Sequence, residues 1–162
     1  MVEQADAPPP GGYLLWHLSL RWRVAMDRAL SPLGLTHAQY ALVASLYSME
    51  QDGAEPSQRQ LADFSGLEPM YVSRLARALE AAGMIERRHN PADPRAVKLS
   101  LTRKGVEAVE AAVGTVRSLE DRQLQPLGGK DSPEALELRR TLTTLLDHAR
   151  SLAAAPDDLP AR

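Results

Sequence analysis

The chain contains no cysteine, no long apolar run and little net charge. Without cysteine, disulfides, thiolate metal sites and thiol redox sensing are excluded, which fits a reducing cytosol. No segment approaches the ~20 consecutive apolar residues that a membrane helix needs. The N-terminus, Met1–Asp6, carries acids where a signal peptide needs a positive charge. These absences predict a soluble, cytoplasmic protein with no membrane partner.

Motifs for enzyme chemistry are also missing from the sequence. Neither Gly-x-Ser-x-Gly nor Gly-x-Gly-x-x-Gly occurs. The sequence around Lys130 does not match the phosphate-binding loop motif. Leu124 occupies the position of the first required glycine, and Asp131 occupies the position of the Ser or Thr that should follow the lysine. The four histidines show no ligand spacing such as His-x-x-x-His. We therefore predict no enzyme activity, no cofactor and no metal, although a zinc site built from distant His, Asp and Glu residues stays open.

The chain has 162 residues, 44% of them apolar. Residues that typically start and end helices recur along it between two polar tails. Thr36 with Gln39, and Ser57 with Gln60, have capping-box spacing. We predict tails at 1–12 and 153–162, and helices near 13–30, 36–49, 57–65, 69–82, 102–125 and 132–152.

One stretch alternates apolar and polar residues as strands do. Ile85–Arg88 and Ala96–Leu101 are the candidate strands, with a turn over Asn90–Pro94. The preceding segment, Leu61–Leu75, has the spacing of a helix-turn-helix around Gly66. The predicted fold class is therefore mainly α with a small antiparallel β-hairpin, a winged helix-turn-helix flanked by N- and C-terminal helices.

The net charge of −2 would argue against a nucleic-acid ligand if the charge were spread evenly along the chain, but it is not. Residues 57–104 carry nine basic and five acidic residues, a net charge of +4. Residues 1–56 and 105–162 carry −3 each. Basic charge concentrated on one module is the electrostatic footprint of a phosphate-binding surface.

The runs Leu75–Arg88 and Asp93–Thr102 resemble the MarR family of bacterial transcription regulators. The wing signature of that family is present as Asp93-x-Arg95, followed by Leu99-x-Leu101-Thr102, and the helix order matches over about Tyr13–Leu152. The resemblance implies a homodimer. Residues 13–35 and 103–152 would form its helical dimerisation region, and residues 36–102 its winged helix-turn-helix domain.

The resemblance also implies how duplex DNA is held. The helix beginning at Pro69 would enter the major groove, where Arg74 grips guanine or a phosphate. Arg95 would enter a narrow minor groove, and Asp93 would orient an arginine rather than touch DNA. The predicted interface comprises Ser57, Gln58, Glu68, Pro69, Met70, Ser73, Arg74, Arg77, Arg88, Asp93 and Arg95.

We therefore predict a sequence-specific double-stranded DNA-binding regulator that reads a near-palindromic operator with half-sites about one helical turn apart. Repression released by a small aromatic or anionic ligand is the favoured output, and activation is the alternative. The ligand candidates, which would otherwise be core residues, are Trp16, His17, Leu20, Tyr40 and Tyr47. Two rival hypotheses are a helical dimer that acts through protein contacts and a small helical enzyme.

Overall fold

The computed structural model of the protein is mostly helical. It describes residues 8–90 and 93–154; at residues 90, 93–96, 153 and 154 it describes the backbone only. The described residues form six α-helices and one two-stranded antiparallel sheet. In chain order these are α1 (Gly11–Leu30), α2 (His37–Gln51), α3 (Gln58–Ser65), α4 (Pro69–Ala81), β1 (Ile85–Asn90), β2 (Asp93–Leu101), α5 (Arg103–Gln123) and α6 (Pro133–Ala154). This is the predicted fold class.

Both predicted capping boxes are confirmed. The Thr36 hydroxyl accepts a hydrogen bond from the Gln39 backbone N–H at 3.2 Å, and the Gln39 side chain accepts from the Thr36 N–H at 2.9 Å. Ser57 and Gln60 make the same reciprocal pair at 3.2 and 2.8 Å. Each box satisfies two backbone donors that a helix start leaves open, which sets where α2 and α3 begin.

Several boundaries differ from the sequence prediction; at the C-terminal end, α6 reaches Ala154, two residues into the predicted tail at 153–162. Helix α1 begins at Gly11 rather than Tyr13, because the Pro10 carbonyl already accepts a hydrogen bond from the Leu14 N–H at 3.2 Å. The strands are longer than predicted, since Asn90 pairs with Asp93. Pro94 fits within β2 because a two-stranded sheet has only edge strands, where a missing N–H need not break a pairing.

The core of the helix-turn-helix is formed by α2, α3 and α4. Leu42, Leu61 and Val72 are at most 1% exposed, and so is Ala62 where α3 approaches its neighbour. Gly66 follows α3 with φ of 68°, the left-handed conformation that lets the chain turn into α4. Apolar burial therefore fixes the angle at which α4 leaves the domain.

Backbone hydrogen bonds fasten the hairpin to the helices. The Leu99 N–H donates to the Pro56 carbonyl at 3.0 Å, and the Leu101 N–H donates to a Glu50 carboxylate oxygen at 2.8 Å. At the same end of the sheet, the Thr102 N–H donates to the Met84 carbonyl at 3.0 Å. The wing is thus anchored to α2, to the α2–α3 loop and to the turn after α4.

The chain divides into two compact units, Met1–Val116 and Arg117–Arg162. In the first unit, α1 exposes a run of apolar side chains between 36 and 59% of their area, namely Tyr13, Leu14, Leu15, Trp16, Leu18, Leu20 and Val24. In the second, α6 exposes five leucines by 38 to 62%, namely Leu136, Leu142, Leu145, Leu146 and Leu152. Each unit therefore presents an apolar helix face that its own residues leave uncovered.

Candidate nucleic-acid interface

Helix α4 is fixed at its start by its own sequence. The Glu68 carboxylate accepts a hydrogen bond from the Tyr71 N–H at 2.9 Å, and Pro69 occupies the first helical position, where no N–H is needed. Val72, Leu75 and neighbouring apolar residues are buried on one face of the helix. The opposite face is consequently held outward as a rigid surface.

That outward face forms a shallow concave surface that contains five of the predicted DNA contacts. Its lining residues are Glu68, Met70, Tyr71, Ser73, Arg74 and Arg77. Met70 is 80% exposed, the most exposed of the large apolar side chains that the structure describes. An apolar side chain this exposed, between two arginines and a carboxylate, is typical of a binding surface rather than a core. We call this set of six residues the α4 surface.

The two arginines of the α4 surface are oriented by neighbours one turn back. The Arg74 guanidinium carbon lies 5.0 Å from the centre of the Tyr71 ring, within cation–π distance. The Arg77 guanidinium donates to the Ser73 hydroxyl at 3.2 Å. Within the described part of the chain neither arginine is paired with a carboxylate, so both positive charges are available to a ligand.

Tyr71 is the member of this surface that the sequence interpretation missed. The predicted contacts are residues of the exposed N-terminal half of α4, whereas Tyr71 is half-buried and its contribution is made through its ring. The available signal was its spacing, because an aromatic residue three positions before an arginine shares a helix face with it.

Helix α3 carries the other predicted phosphate contacts at its N-terminus. The Ser57 hydroxyl oxygen accepts the capping hydrogen bond from the Gln60 backbone N–H. The backbone of Ser57 also pairs with that of Lys98 in an isolated β-bridge. Gln58 is half-buried, and its side-chain oxygen has no hydrogen-bond partner among the described residues. The structure therefore places both residues beside the wing, with Ser57 also serving as a helix cap.

The basic residues of the wing differ from those of α4, because the described ones are paired. Arg87 lies 3.2 Å from Glu80, and Arg88 is bonded to Glu86. Lys98 lies 2.6 Å from Glu55, and this hydrogen bond lowers the pKa of the Glu55 carboxyl below its ordinary value. Exposed pairs of this kind are worth little to stability, so a phosphate can compete for Arg88.

The two predicted wing-tip residues lie at the start of β2. The backbone of Asp93 pairs with Asn90, and Arg95 follows two residues later in the strand. The side chains of Asp93 and Arg95 lie outside the described residues. Their assignment to the interface therefore stays a prediction from the sequence signature.

The five predicted ligand residues lie on three surfaces. On the exposed start of α1, the His17 ring lies 4.1 Å from the Tyr13 ring in a tilted arrangement and 4.6 Å from the Trp16 ring edge to face. Leu20 lines a shallow groove on α1 together with Arg21, Val24, Ala25 and Arg28. Tyr40 and Tyr47 are half-buried on α2, and the Tyr47 hydroxyl donates to Glu110 at 3.1 Å.

The Tyr47–Glu110 hydrogen bond joins α2 to α5 and raises the pKa of the Tyr47 phenol above its ordinary value.

Among residues 8–90 and 93–154, no three His, Asp or Glu side chains stand close enough to share a metal ion. No helix in the described part of the chain is both long and apolar enough to cross a membrane.

Comparison with known proteins explains this geometry. A sequence model of the MarR family matches residues 35–97, which span the helix-turn-helix and most of the wing. The HTH-type transcriptional regulator YdcH of Bacillus subtilis is 41% identical over 109 residues, 67% of this chain and 74% of that protein. An HTH-type transcriptional repressor of Mycobacterium tuberculosis is 30% identical over 136 residues, 84% of this chain and 93% of the other. The chain belongs to the MarR family.

Solved structures of MarR-family proteins share the architecture. The complex of Staphylococcus aureus MepR with DNA superposes with a TM-score of 0.75 at 27% identity, covering 87% of this chain and 99% of MepR. The DNA complex of Mycobacterium tuberculosis MOSR, at 23% identity and a TM-score of 0.72, supports the fold alone. Proteins of this family are DNA-binding transcription regulators and not enzymes, so this chain is a transcription regulator.

Proposed function

We propose that this MarR-family protein represses transcription by seating the α4 surface in the major groove of an operator. The observation that carries the proposal is the pair of exposed, carboxylate-free arginines, Arg74 and Arg77, on the rigid outward face of α4. A guanidinium can bond guanine O6 and N7 together or bridge a phosphate. The similar M. tuberculosis protein is named a repressor, which supports repression over activation.

The wing completes the proposed contact. Arg95 lies in β2, two residues after the pairing that closes the hairpin tip, so a wing lying along the duplex would carry it toward the neighbouring minor groove. Ser57, Gln58 and Arg88 lie around the base of the wing and would meet the backbone phosphates. Asp93, a carboxylate, is assigned to orienting an arginine, since phosphates repel it.

Selection of duplexes from random DNA by the purified protein tests this proposal. We expect a near-palindromic site with half-sites about one helical turn apart, bound with affinity that falls steeply as salt rises. Arg74→Ala should relax the preference at one base pair per half-site. Arg117→Ala, which removes an exposed arginine of α5 outside the basic segment, is the matched control and should leave binding unchanged. Failure of the wild-type protein to retard any duplex at low salt would refute DNA binding.

A homodimer is proposed from the two uncovered apolar faces. Leu145 on α6 is 51% exposed and Leu18 on α1 is 55% exposed, each within a row of similar side chains. Apolar surface of this extent is typical of an interface rather than of a monomer's exterior. The domain assignment follows, with residues 13–35 and 103–152 proposed as the dimerisation region and residues 36–102 as the DNA-binding domain.

Sedimentation equilibrium tests the dimer. Leu145→Asp should shift the protein toward monomer, because a carboxylate would have to be buried in the interface. Thr144→Asp places the same charge on the other side of α6, where the Thr144 hydroxyl donates only to the Arg140 carbonyl of its own helix. That control should remain dimeric, and a monomeric wild-type protein at micromolar concentration would overturn the proposal.

Release by a small aromatic or anionic ligand is proposed from the aromatic side chains on α1 and α2. The Trp16 and His17 rings meet edge to face, 4.6 Å apart, and Tyr40 and Tyr47 add aromatic rings on the next helix. Benzoate, the simplest aromatic carboxylate, is the probe, and it should weaken operator binding while raising the melting temperature. Absence of both effects at millimolar benzoate counts against this class of ligand. We place the protein in the cytoplasm, where its operator would lie.

A further inference from the structure

The contact between Tyr71 and Arg74 assigns Tyr71 a role in operator recognition. We infer that Tyr71 is a positioning residue whose ring holds the Arg74 guanidinium ready to read guanine. The inference rests on the proposed function of the α4 surface and extends it to Tyr71, which would act through Arg74. The guanidinium carbon lies 5.0 Å from the ring centre, over the ring.

The two arginines of the α4 surface are held in chemically different ways. Arg77 gives one of its N–H groups to the Ser73 hydroxyl at 3.2 Å. Arg74 is held through the face of an aromatic ring, which occupies none of its five N–H donors. Bidentate recognition of guanine needs two parallel donors, one for O6 and one for N7. Arg74 therefore keeps the donor set that base reading requires.

The ring itself rests on a fixed backbone. The Tyr71 N–H donates to the capping Glu68 carboxylate at 2.9 Å, and the next residue, Val72, is 0% exposed. Tyr71 is half-buried, so its ring has fewer orientations than a free side chain. An arginine side chain with no contact loses the conformational entropy of four torsions when it binds DNA. One already held against a ring before binding loses less. Pre-placement should thus favour the geometry that fits guanine over looser phosphate contacts.

Modified operators separate this role from general affinity. In each selected half-site, single guanines are replaced by 7-deazaguanine, which lacks the N7 acceptor. The wild-type protein should lose affinity at one guanine, and Arg74→Ala should be insensitive to the replacement there. Tyr71→Phe keeps a ring and should retain the full discrimination. Tyr71→Leu should still bind, with discrimination at that guanine reduced roughly two- to five-fold.

Each outcome decides something different. If no duplex is selected at all, the proposed function fails. If an operator is bound but Tyr71→Leu discriminates as well as Tyr71→Phe, or if no guanine shows an Arg74-dependent effect, the positioning role alone is overturned. A uniform loss of affinity in Tyr71→Leu, with discrimination intact, equally overturns it, because that pattern marks a structural role.

A measurement on the unaltered protein covers the case in which Tyr71→Leu does not fold. Protons on the Arg74 side chain next to the guanidinium should show upfield NMR shifts from the Tyr71 ring current, in the absence of DNA. The shifts should persist in Tyr71→Phe. Random-coil shifts at Arg74 in the wild-type protein would remove the basis of the inference.

Discussion

Gly105, in the first turn of α5, lies where the wing, α4 and α5 meet. A Cβ added at this position would stand 2.0 Å from the Met84 carbonyl oxygen and 3.1 Å from a Leu101 methyl carbon. Contacts below about 3.0 Å do not occur between real Cβ atoms and neighbours, so backbone must move by roughly 1 Å. We predict that Gly105→Ala strongly destabilises the domain.

The magnitude follows from what the movement breaks. Overpacking of this kind costs about 1–3 kcal/mol. The displaced Met84 carbonyl also accepts the Thr102 N–H at 3.0 Å, and losing that hydrogen bond adds about 0.5–1.5 kcal/mol. Together these give roughly 1.5–4.5 kcal/mol, which in a chain of this size lowers the melting temperature by roughly 3–18 °C.

Differential scanning calorimetry at one fixed protein concentration measures the change, with Gly114→Ala as the matched control. Gly114 lies in the same helix, and a Cβ there meets nothing within 4 Å. Alanine at Gly114 should stabilise by about 0.5–1 kcal/mol through its helix propensity. Equal melting temperatures for the two alanine variants would refute the close-approach argument.

Three further outcomes are expected. Arg95→Ala should weaken operator binding by about 1–3 kcal/mol in gel-shift titrations; unchanged affinity would remove the wing from recognition. Lys98 lowers the folded-state pKa of Glu55 from its ordinary 4.5, so the ion pair stabilises the fold above that value and the effect is lost as pH falls through the lower folded pKa. Urea midpoints below pH 4.5 should therefore drop less in Glu55→Gln than in wild type, and parallel pH curves would contradict this. Thr36→Ala should cost about 0.5–2 kcal/mol in urea unfolding by removing the α2 cap, whereas Thr36→Ser should keep most of it; equal losses would show that the cap contributes nothing.

Local chemistry made the start of most elements predictable from the sequence. Thr36 and Ser57 are followed three residues later by glutamine, a pattern that satisfies backbone donors wherever it occurs. Gly66 and Pro69 likewise act through their own backbone constraints. These signals need no knowledge of the rest of the chain, so the order and limits of α2, α3 and α4 follow from them.

Features that depend on strand register or on contacts between separate elements were not predictable. The pairing of Asn90 with Asp93 requires the register set by the rest of the hairpin, and it extends both strands into the predicted turn. The close approach of Gly105 to Met84 depends on how α5 packs against the turn after α4. The ion pair between Lys98 and Glu55, 43 residues apart in the sequence, likewise cannot be predicted from the local sequence pattern.

The distribution of ion pairs changes what the basic segment means for recognition. Its charge of +4 suggests a uniformly attractive surface, yet the structure neutralises the described wing residues Arg87, Arg88 and Lys98 with carboxylates. Arg74 and Arg77 on α4 stay unpaired. A phosphate meeting the wing must first displace a carboxylate, whereas among the described residues no carboxylate is paired with Arg74 or Arg77. On the proposed function, long-range attraction would come from the whole segment, and the contacts that need no exchange of a carboxylate would form on α4, the helix proposed to enter the major groove.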